Sequence, residues 1–359
     1  MDDLASLSEN TSLKFTYAQA KGRNNFYCGM SVDNSLENGG AQSAEEERKL
    51  RVVIDKFSGG WSGDFEKLKG HFDTKIQNLC TSTSESCNRR TCPYAQECPY
   101  YANIDNMRKA DVVVANHSLT AAMAEIGFGT YLKGDDSECR PLLALDEAHH
   151  FHSLFRDSMS LQLNFSDASK KLKSNTRFSK ELSGQKDIAH QADEAQNLAN
   201  DIISVLSILS NETQQMYNNE KQQRFDMAKL SDHYREQLTT LKLLSVKASK
   251  VIAKINSYIS KESCPLPEAT SASVTVKVSV AGKLLENIAN IVEAAHQDIP
   301  KASWFSFKGM TSAMHICPLE VSELFKEKIV DQCHSITMVS ATLRTEGNFN
   351  HIIQRLGVS

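Results

Sequence analysis

This sequence lacks a long apolar run, an excess of basic residues and an N-terminal leader pattern. No stretch approaches the roughly 18 uninterrupted apolar residues that a membrane-spanning helix needs. Its 40 basic and 44 acidic residues give a net charge of −4, so any nucleic-acid surface must be local. The first residues hold no basic segment followed by an apolar one, which argues against a signal peptide. We therefore expect a cytoplasmic protein that has no membrane partner.

Proline is also scarce, and the apolar fraction is that of an ordinary folded protein. Only 7 of the 359 residues are proline, and 40% are hydrophobic. A chain of this length can hold two or three domains with sizeable cores.

Nine cysteines are present, but their distribution does not favour a disulfide framework. Four of them lie close together in the sequence, namely Cys80, Cys87, Cys92 and Cys98, and the others are dispersed. In a reducing compartment such a group indicates a metal site more than disulfides. Its spacing lacks the tight pairs usual in zinc sites, whereas iron–sulfur clusters take thiolates from more variable loops. Spacing alone leaves iron–sulfur and zinc equally open, with unpaired structural cysteines as a weaker alternative.

The most informative segment is an apolar run that ends in two carboxylates. Residues 142–145 follow Pro141 and are typical of a buried strand of a parallel sheet, covered on both faces. Asp146 and Glu147 would emerge at the carboxyl end of this strand, where ligands of such sheets bind. In nucleotide-hydrolysing proteins the first acid holds Mg²⁺, and the second orients the attacking water. The alternative is a chance pair of acids at a helix start.

Two further apolar runs also end in polar signatures. Residues 112–115 precede Asn116 and His117, and residues 336–339 precede a Ser-Ala-Thr sequence at 340–342. Short runs of this kind predict buried strands. Ser-Ala-Thr by itself is a weak signal, but together with an acidic motif it is typical of a helicase motor domain. There its hydroxyls bond the acidic motif and link ATP hydrolysis to movement on nucleic acid.

The region between these strands is mainly helical. Apolar residues at a spacing of three or four predict helices over 188–209 and 230–259, and a third helix over 284–295. We interpret these stripes as core-facing. Residues 274–280 alternate in the manner of a strand, which predicts a short strand within this helical region.

The order of these motifs resembles the DinG branch of the iron–sulfur DNA helicases, relatives of XPD within helicase superfamily 2. The matching segments are 21–28 (Lys-Gly-Arg-Asn-Asn-Phe-Tyr-Cys), 87–99 (Cys-Asn-Arg-Arg-Thr-Cys-Pro-Tyr-Ala-Gln-Glu-Cys-Pro), 110–117 (Ala-Asp-Val-Val-Val-Ala-Asn-His), 146–149 (Asp-Glu-Ala-His) and 340–344 (Ser-Ala-Thr-Leu-Arg). The match extends essentially from end to end.

The resemblance implies an α/β fold in which a partial RecA-like parallel sheet carries an inserted cluster domain and a mainly helical arch domain. The implied segments are first motor domain 1–27, iron–sulfur cluster domain 28–105, first motor domain continued 106–151, arch domain 152–300 and the end of the first motor domain 301–359.

By the same resemblance, a 4Fe-4S cluster would be held by four thiolates, and Cys80 would be a neighbour that is not a ligand. The implied ligands are Cys28, Cys87, Cys92 and Cys98.

The resemblance also assigns the ATP site of the complete enzyme. Asp146 and Glu147 would bind Mg²⁺ and ATP and activate water. His149, Ser340 and Thr342 would couple hydrolysis to DNA movement.

DNA contacts implied by the resemblance are basic residues near the cluster. Lys21, Arg23, Arg89 and Arg90 are the candidates, and a solvated basic surface is the alternative for each. The implied partners are single-stranded or forked DNA and a single-strand binding protein.

A phosphate-binding Gly-x4-Gly-Lys-Ser/Thr loop is absent from the sequence. The pair Gly282-Lys283 precedes a leucine and follows the acidic motif, and only a short segment follows Thr342. We therefore expect an internal segment of a 5′ to 3′ ATP-dependent DNA helicase of DNA repair, which needs missing motor segments for ATP turnover. On its own it would bind DNA and a cluster without ATPase activity. The alternatives are a non-enzymatic metal- or cluster-containing DNA-binding module and an inert fragment.

Overall fold

The computed structural model describes residues 2–37, 43–68, 73–83, 86–87, 92–132, 140–182, 184–218, 220–261, 264–344 and 347–357. The chain forms two compact units, one of residues 1–158 with 320–359 and one of residues 159–319. Helices and small sheets occur in both, so the prediction of a mixed α/β protein is confirmed. The RecA-like architecture and the five segment boundaries stay predictions. In the described residues no helix is both long and apolar enough to cross a membrane.

The first unit alternates short strands with helices. Its elements are α1 (Asp2–Asn10), β1 (Tyr17–Gln19), α2 (Gly29–Glu37), α3 (Ala44–Ser58), α4 (Thr74–Cys80), α5 (Pro99–Lys109), β2 (Val112–Val114), α6 (His117–Ile126), β3 (Leu142–Leu145), α7 (Phe151–Ser158), α13 (Ser322–Lys328), β8 (Ser335–Met338) and α14 (Asn350–Leu356).

Its strands form two parallel pairs, β1 with β2 and β3 with β8. Tyr17 lies opposite Val112, and Leu142 lies opposite Ser335. Because the strands of each pair are parallel, the polar residues that follow them meet at one edge.

The prediction that these strands are covered on both faces is wrong for this chain. The side chain of Leu142 is 74% exposed, and that of Val114 is 39% exposed. Within the described residues each strand belongs to a two-stranded sheet, and so small a sheet cannot bury its apolar side chains on both faces.

A separate apolar core lies beneath the cysteine-rich part of the first unit. It comprises Tyr27, Val32, Leu50, Val53, Phe65, Ile76 and Cys80. Ser43 caps the N-terminus of α3, since its side chain accepts from the Glu46 amide, and the three glutamates of the first turn suit the positive helix end. Helix α5 begins after Cys98 with Pro99, a residue well suited to a first helical turn.

The second unit packs long helices against an antiparallel sheet. Its elements are β4 (Leu161–Asn164), α8 (Phe165–Asn175), α9 (Ser179–Leu182), α10 (Ala189–Gln215), β5 (Gln222–Arg224), α11 (Asp232–Ile259), α12 (Glu268–His296), β6 (Lys301–Lys308) and β7 (Thr311–Pro318). The strand order is β4-β7-β6-β5. The helices predicted over 188–209 and 230–259 are confirmed as α10 and α11, since their apolar stripes are buried together.

The strand predicted over residues 274–280 is wrong, because this segment lies inside α12. Val274, Val278, Ala281 and Leu285 are all buried, and their spacing of three or four places them on one helix face. Packing of this face outweighs the strand preference of valine and threonine. The predicted third helix, 284–295, is the C-terminal part of the same element.

Candidate functional site

The turn after β3 and the segment after β8 are joined by a polar network. The hydroxyl of Ser340 donates to Oε2 of Glu147 at 3.0 Å. Nδ1 of His149 lies 2.6 Å from Ser340 Oγ and 3.2 Å from the same Glu147 oxygen. The structure therefore brings together side chains almost 200 positions apart in the sequence.

The backbone of the strand pair holds these groups in place. The Val339 amide donates to the Leu145 carbonyl at 2.9 Å, and the Ala148 amide donates to the Val339 carbonyl at 3.1 Å. Among the described residues other than glycine, only Glu147 has a positive φ, at 46°. This left-handed turn costs conformational energy, and such turns concentrate at functional sites.

Thr342 completes the network at Ser340. Its amide donates to Ser340 Oγ at 3.2 Å, and the two hydroxyl oxygens lie 3.4 Å apart. Since the Ser340 proton goes to Glu147, Oγ is left to accept from the Thr342 amide and from a protonated Nδ1 of His149. One serine hydroxyl thus links the glutamate, the histidine and the threonine.

The other predicted acid, Asp146, is exposed beside this network. Its Oδ1 accepts from the Glu147 amide at 2.9 Å. An exposed carboxylate at the end of a parallel strand can take a hard cation such as Mg²⁺, which prefers oxygen ligands.

The four predicted cluster ligands line one cavity of the first unit, which we call the cysteine cavity. Its lining includes Cys28, Cys87, Cys92 and Cys98 and does not include Cys80. The Cys80 thiol is fully buried in the apolar core, and this burial raises its pKa to about 12. The Cys28 amide nevertheless donates to the Cys80 carbonyl at 2.7 Å, so the two residues are neighbours through the backbone.

The thiols surround this cavity rather than converge on a point. Among the described residues no three His, Cys, Asp or Glu side chains are placed as the ligands of a single ion. A cluster of several irons is larger than one ion, so its thiolates lie further apart, and cysteine sulfur is its usual donor. The donor set and its arrangement around a cavity therefore fit a cluster.

Two of the residues predicted to contact DNA are engaged within the protein. Nζ of Lys21 lies 2.7 Å from Asp64 and 2.6 Å from Glu66, and the lysine is only 9% exposed. The guanidinium carbon of Arg23 lies 4.4 Å from the centre of the Tyr100 ring. Arg89 and Arg90, the other two candidates, lie outside the described residues.

Sequence reasoning missed the contact that closes one side of the cysteine cavity. The hydroxyl of Tyr94 donates to Asp33, and its ring lies against Gly29. A Cβ at Gly29 would come within 2.8 Å of the ring, so this glycine permits the contact. A spacing of more than 60 positions between the tyrosine and the glycine leaves no local signal of it.

A polar groove at the carboxyl ends of β1 and β2 was also missed. It has a volume of about 600 Å³, and side chains of Asn24, Asn25, Asn116 and Ser118 line it. Asn116 also accepts from the Leu119 amide at 2.8 Å and so caps α6. The sequence signal was present, because Asn116 directly follows an apolar run.

Comparison with known proteins finds relatives along the whole chain. No protein-family model matches. The chain is 23% identical to ATP-dependent DNA helicase DinG of Photobacterium profundum over 96% of its length, covering 53% of that protein. It is 24% identical to ATP-dependent DNA helicase YoaA of Haemophilus influenzae over 99% of its length, covering 52%. A stretch of 33% of the chain is 31% identical to DinG of Salmonella choleraesuis, covering 16% of it. The chain thus spans about half the length of the first two relatives.

Proposed function

We propose that this chain, whose similarity from end to end places it in the DinG helicase family, is part of an ATP-dependent DNA helicase. The observation that carries the proposal is the hydrogen-bonded network of Glu147, His149 and Ser340. It links the ends of two parallel strands, which is where a motor couples ATP hydrolysis to movement.

In the proposed mechanism, Asp146 holds Mg²⁺ and Glu147 orients the water that attacks the terminal phosphate. Ser340 and His149 contact the Glu147 carboxylate directly. A change in its hydrogen bonds on ATP binding therefore reaches the backbone after β8 through Ser340 and Thr342. The enzyme binds single-stranded or forked DNA, moves 5′ to 3′, and acts in DNA repair in the cytoplasm, with single-strand binding protein as a partner.

We further propose that Cys28, Cys87, Cys92 and Cys98 hold a 4Fe-4S cluster. Their position around one cavity supports this assignment. When bound, the cluster would cross-link distant segments of the first unit and could carry an electron. Tyr94 would shield it on the side of Gly29.

The first test is metal analysis with an anaerobic visible spectrum of the wild type, Cys28→Ser and the matched control Cys80→Ser. We expect about four irons per chain and an iron–sulfur absorption, lost in Cys28→Ser and kept in Cys80→Ser. Zinc that survives Cys28→Ser but not Cys80→Ser would contradict the ligand set and favour the cysteines that are close in sequence.

A second test addresses the motor. In a complete enzyme, Glu147→Gln should preserve ATP binding and abolish turnover, because the amide cannot accept a proton from water. The chain by itself should not hydrolyse ATP, since it contains no phosphate-binding loop. If Glu147→Gln retained ATP turnover, Glu147 would not be the residue that activates water. Mg²⁺-dependent ATPase activity of the pure chain would contradict the prediction that this chain alone does not hydrolyse ATP.

A further inference from the structure

The antiparallel sheet of the second unit has two different faces. Leu163, Phe305 and Met314 belong to the core that packs against the helices. Because successive side chains of a strand point to opposite sides of a sheet, the residues next to these lie on the other face. We use the name open sheet face for the side that carries Gln162, His315, Trp304 and Arg224. The helical core thus accounts for only one side of this sheet.

Four side chains of the open sheet face form one row across the four strands. Gln162 of β4 lies opposite His315 of β7, which lies opposite Trp304 of β6. Trp304 in turn lies opposite Arg224 of β5. Neighbouring strands are about 4.8 Å apart, so the row is about 14 Å long. Four-stranded sheets of this width, with aromatic side chains on one face, can stack two or three bases of a single strand.

The two rings at the centre of the row are stacked on each other. The ring planes of Trp304 and His315 differ by 4°, and their centres lie 4.9 Å apart. Nε2 of His315 lies 2.7 Å from Ser306 Oγ, and this contact fixes the orientation of the imidazole. Burial lowers the pKa of His315 below its ordinary value, so the ring is neutral near pH 7 and stacks as an aromatic group. Nε1 of Trp304 has no hydrogen-bond partner among the described residues, so hydrogen bonding does not explain the position of this ring.

The charge of the open sheet face suits a polyanion. In the described strands no Asp or Glu lies on this face, although the chain as a whole has a net charge of −4. Arg224 and Lys308 are cations on this face, and both are exposed. Gln162 and Gln222 are also exposed, and their amides can donate to and accept from base edges. The face therefore combines aromatic rings, cations and amides, which together bind single-stranded nucleic acid.

We propose that the open sheet face binds single-stranded DNA, with a base stacked on Trp304 and phosphates in contact with Arg224 and Lys308. This inference rests on the proposed helicase function and assigns a DNA contact surface to the second unit. An acidic polypeptide would match the two cations but would leave the parallel rings without a stacking partner. Because every base has an aromatic face, the site should bind without a strong sequence preference.

The first test observes Trp304 directly. In Trp61→Phe it is the one remaining tryptophan, so its fluorescence can be titrated with a labelled oligothymidylate whose binding is followed by anisotropy. We expect saturable quenching with the same midpoint as the anisotropy change, because a stacked base contacts the indole. Binding that leaves the fluorescence unchanged would overturn the inference. Equal quenching by poly-glutamate would assign the face to an acidic polypeptide and would overturn it as well.

The second test compares the affinities of Trp304→Leu, Trp304→Phe, Arg224→Gln and the matched control Lys254→Gln. Lys254 is exposed on α11 of the same unit. Trp304→Leu should weaken binding by about 5- to 100-fold, whereas Trp304→Phe should keep most of the affinity because it retains an aromatic face. Arg224→Gln should lower the slope of the salt dependence by about 1. Lys254→Gln should change neither the affinity nor the slope.

The outcomes distinguish this inference from the proposed function. Equal affinities and salt slopes for the wild type and all variants would overturn the inference and leave DNA binding by the chain intact. A wild type that binds no single-stranded DNA would overturn both. Thermal unfolding followed by circular dichroism shows whether each variant is folded, and the titration of Trp61→Phe requires no change in the sheet.

Discussion

The two units of this chain differ in where they bury apolar side chains. In the second unit Leu206, Leu238 and Phe305 are almost fully buried in one continuous core. In the first unit Leu142 and Val339, both next to the acidic and Ser-Ala-Thr motifs, are more than half exposed. The second unit therefore buries its apolar side chains in one core, whereas the first also leaves apolar side chains exposed beside its strand-end motifs.

The chain offers a separate optical probe for each unit. Its two tryptophans are Trp61 in the first unit and Trp304 in the second. In a Trp61→Phe background, fluorescence reports on the second unit, and in a Trp304→Phe background it reports on the first.

The largest effect is expected from a cavity in the core of the second unit. Leu238→Ala should lower the free energy of unfolding by about 3–4 kcal/mol, since it removes a fully buried side chain. The matched control Leu243→Ala lies on the same helix, where the side chain is 67% exposed, and should cost less than about 0.5 kcal/mol. Equal losses in denaturant titrations of Trp304 fluorescence would contradict the assigned core face of α11.

The next effect concerns the buried ion pair of the first unit. Lys21→Met should cost about 3 kcal/mol, because it leaves the Asp64 carboxylate buried without its cation. The control Lys49→Met breaks only an exposed pair with Glu45, which solvent screens, and should leave the free energy of unfolding nearly unchanged. Trp61 donates to the Asp64 carbonyl and is a suitable probe. A stable Lys21→Met protein with weaker DNA binding would instead favour the DNA-contact role.

A smaller effect is expected from the polar pair inside the second unit. Thr213 and Tyr234 are fully buried, and their hydroxyls lie 2.8 Å apart. Tyr234→Phe should cost about 1–2 kcal/mol, because it leaves the threonine hydroxyl without its partner. Adding Thr213→Val should recover part of that loss in a double-mutant cycle. Additive losses would show that the two hydroxyls do not depend on each other.

The polar network of Glu147, His149, Ser340 and Thr342 should contribute little to the free energy of unfolding and more to the local order of the strand ends. Ser340→Ala should cost about 1 kcal/mol or less, because the network is largely exposed to water. It should nevertheless speed hydrogen exchange at the Val339 amide, which bridges β8 to Leu145. Ser335→Ala, at the start of the same strand, is the control. Unchanged exchange at Val339 in the Ser340 variant would show that the network does not hold the strand ends together.

The smallest effect is the contribution of the Cys333 thiol to the pH dependence of stability, which appears only at alkaline pH. Burial raises the pKa of the Cys333 thiol to about 11, compared with a reference value of 9.0. From about pH 9 to 11 the unfolded chain releases this proton while the folded chain keeps it, so stability falls as pH rises through that window. Cys333→Ala should make the stability of the first unit fall less steeply between about pH 9 and 11. Unfolding of this unit is measured by Trp61 fluorescence. An identical slope in wild type and variant would contradict the burial of this thiol.

Local patterns were sufficient for the long helices but not for α12. The periodicity of α10 and α11 is repeated over many turns, so a single burial face explains it. In α12, residues 274–280 alternate between valine and polar residues, so a window this short fits both a strand and a helix. Val274 and Val278 would share a face in either case, and the two are distinguished by the further buried positions Ala281 and Leu285, because a spacing of three or four fits only a helix.

The sequence by itself determined α10, α11 and the short strands β2, β3 and β8 with the polar residues that follow them, because hydrophobic period and strand ends are local properties. Only the tertiary structure decided which distant groups meet. Lys21 forms an ion pair with Asp64, and Ser340 donates a hydrogen bond to Glu147. Cys80 is buried in the apolar core, whereas Cys28 lines the cysteine cavity. These outcomes depend on the register of parallel strands and on competition for burial, which no spacing along the chain encodes.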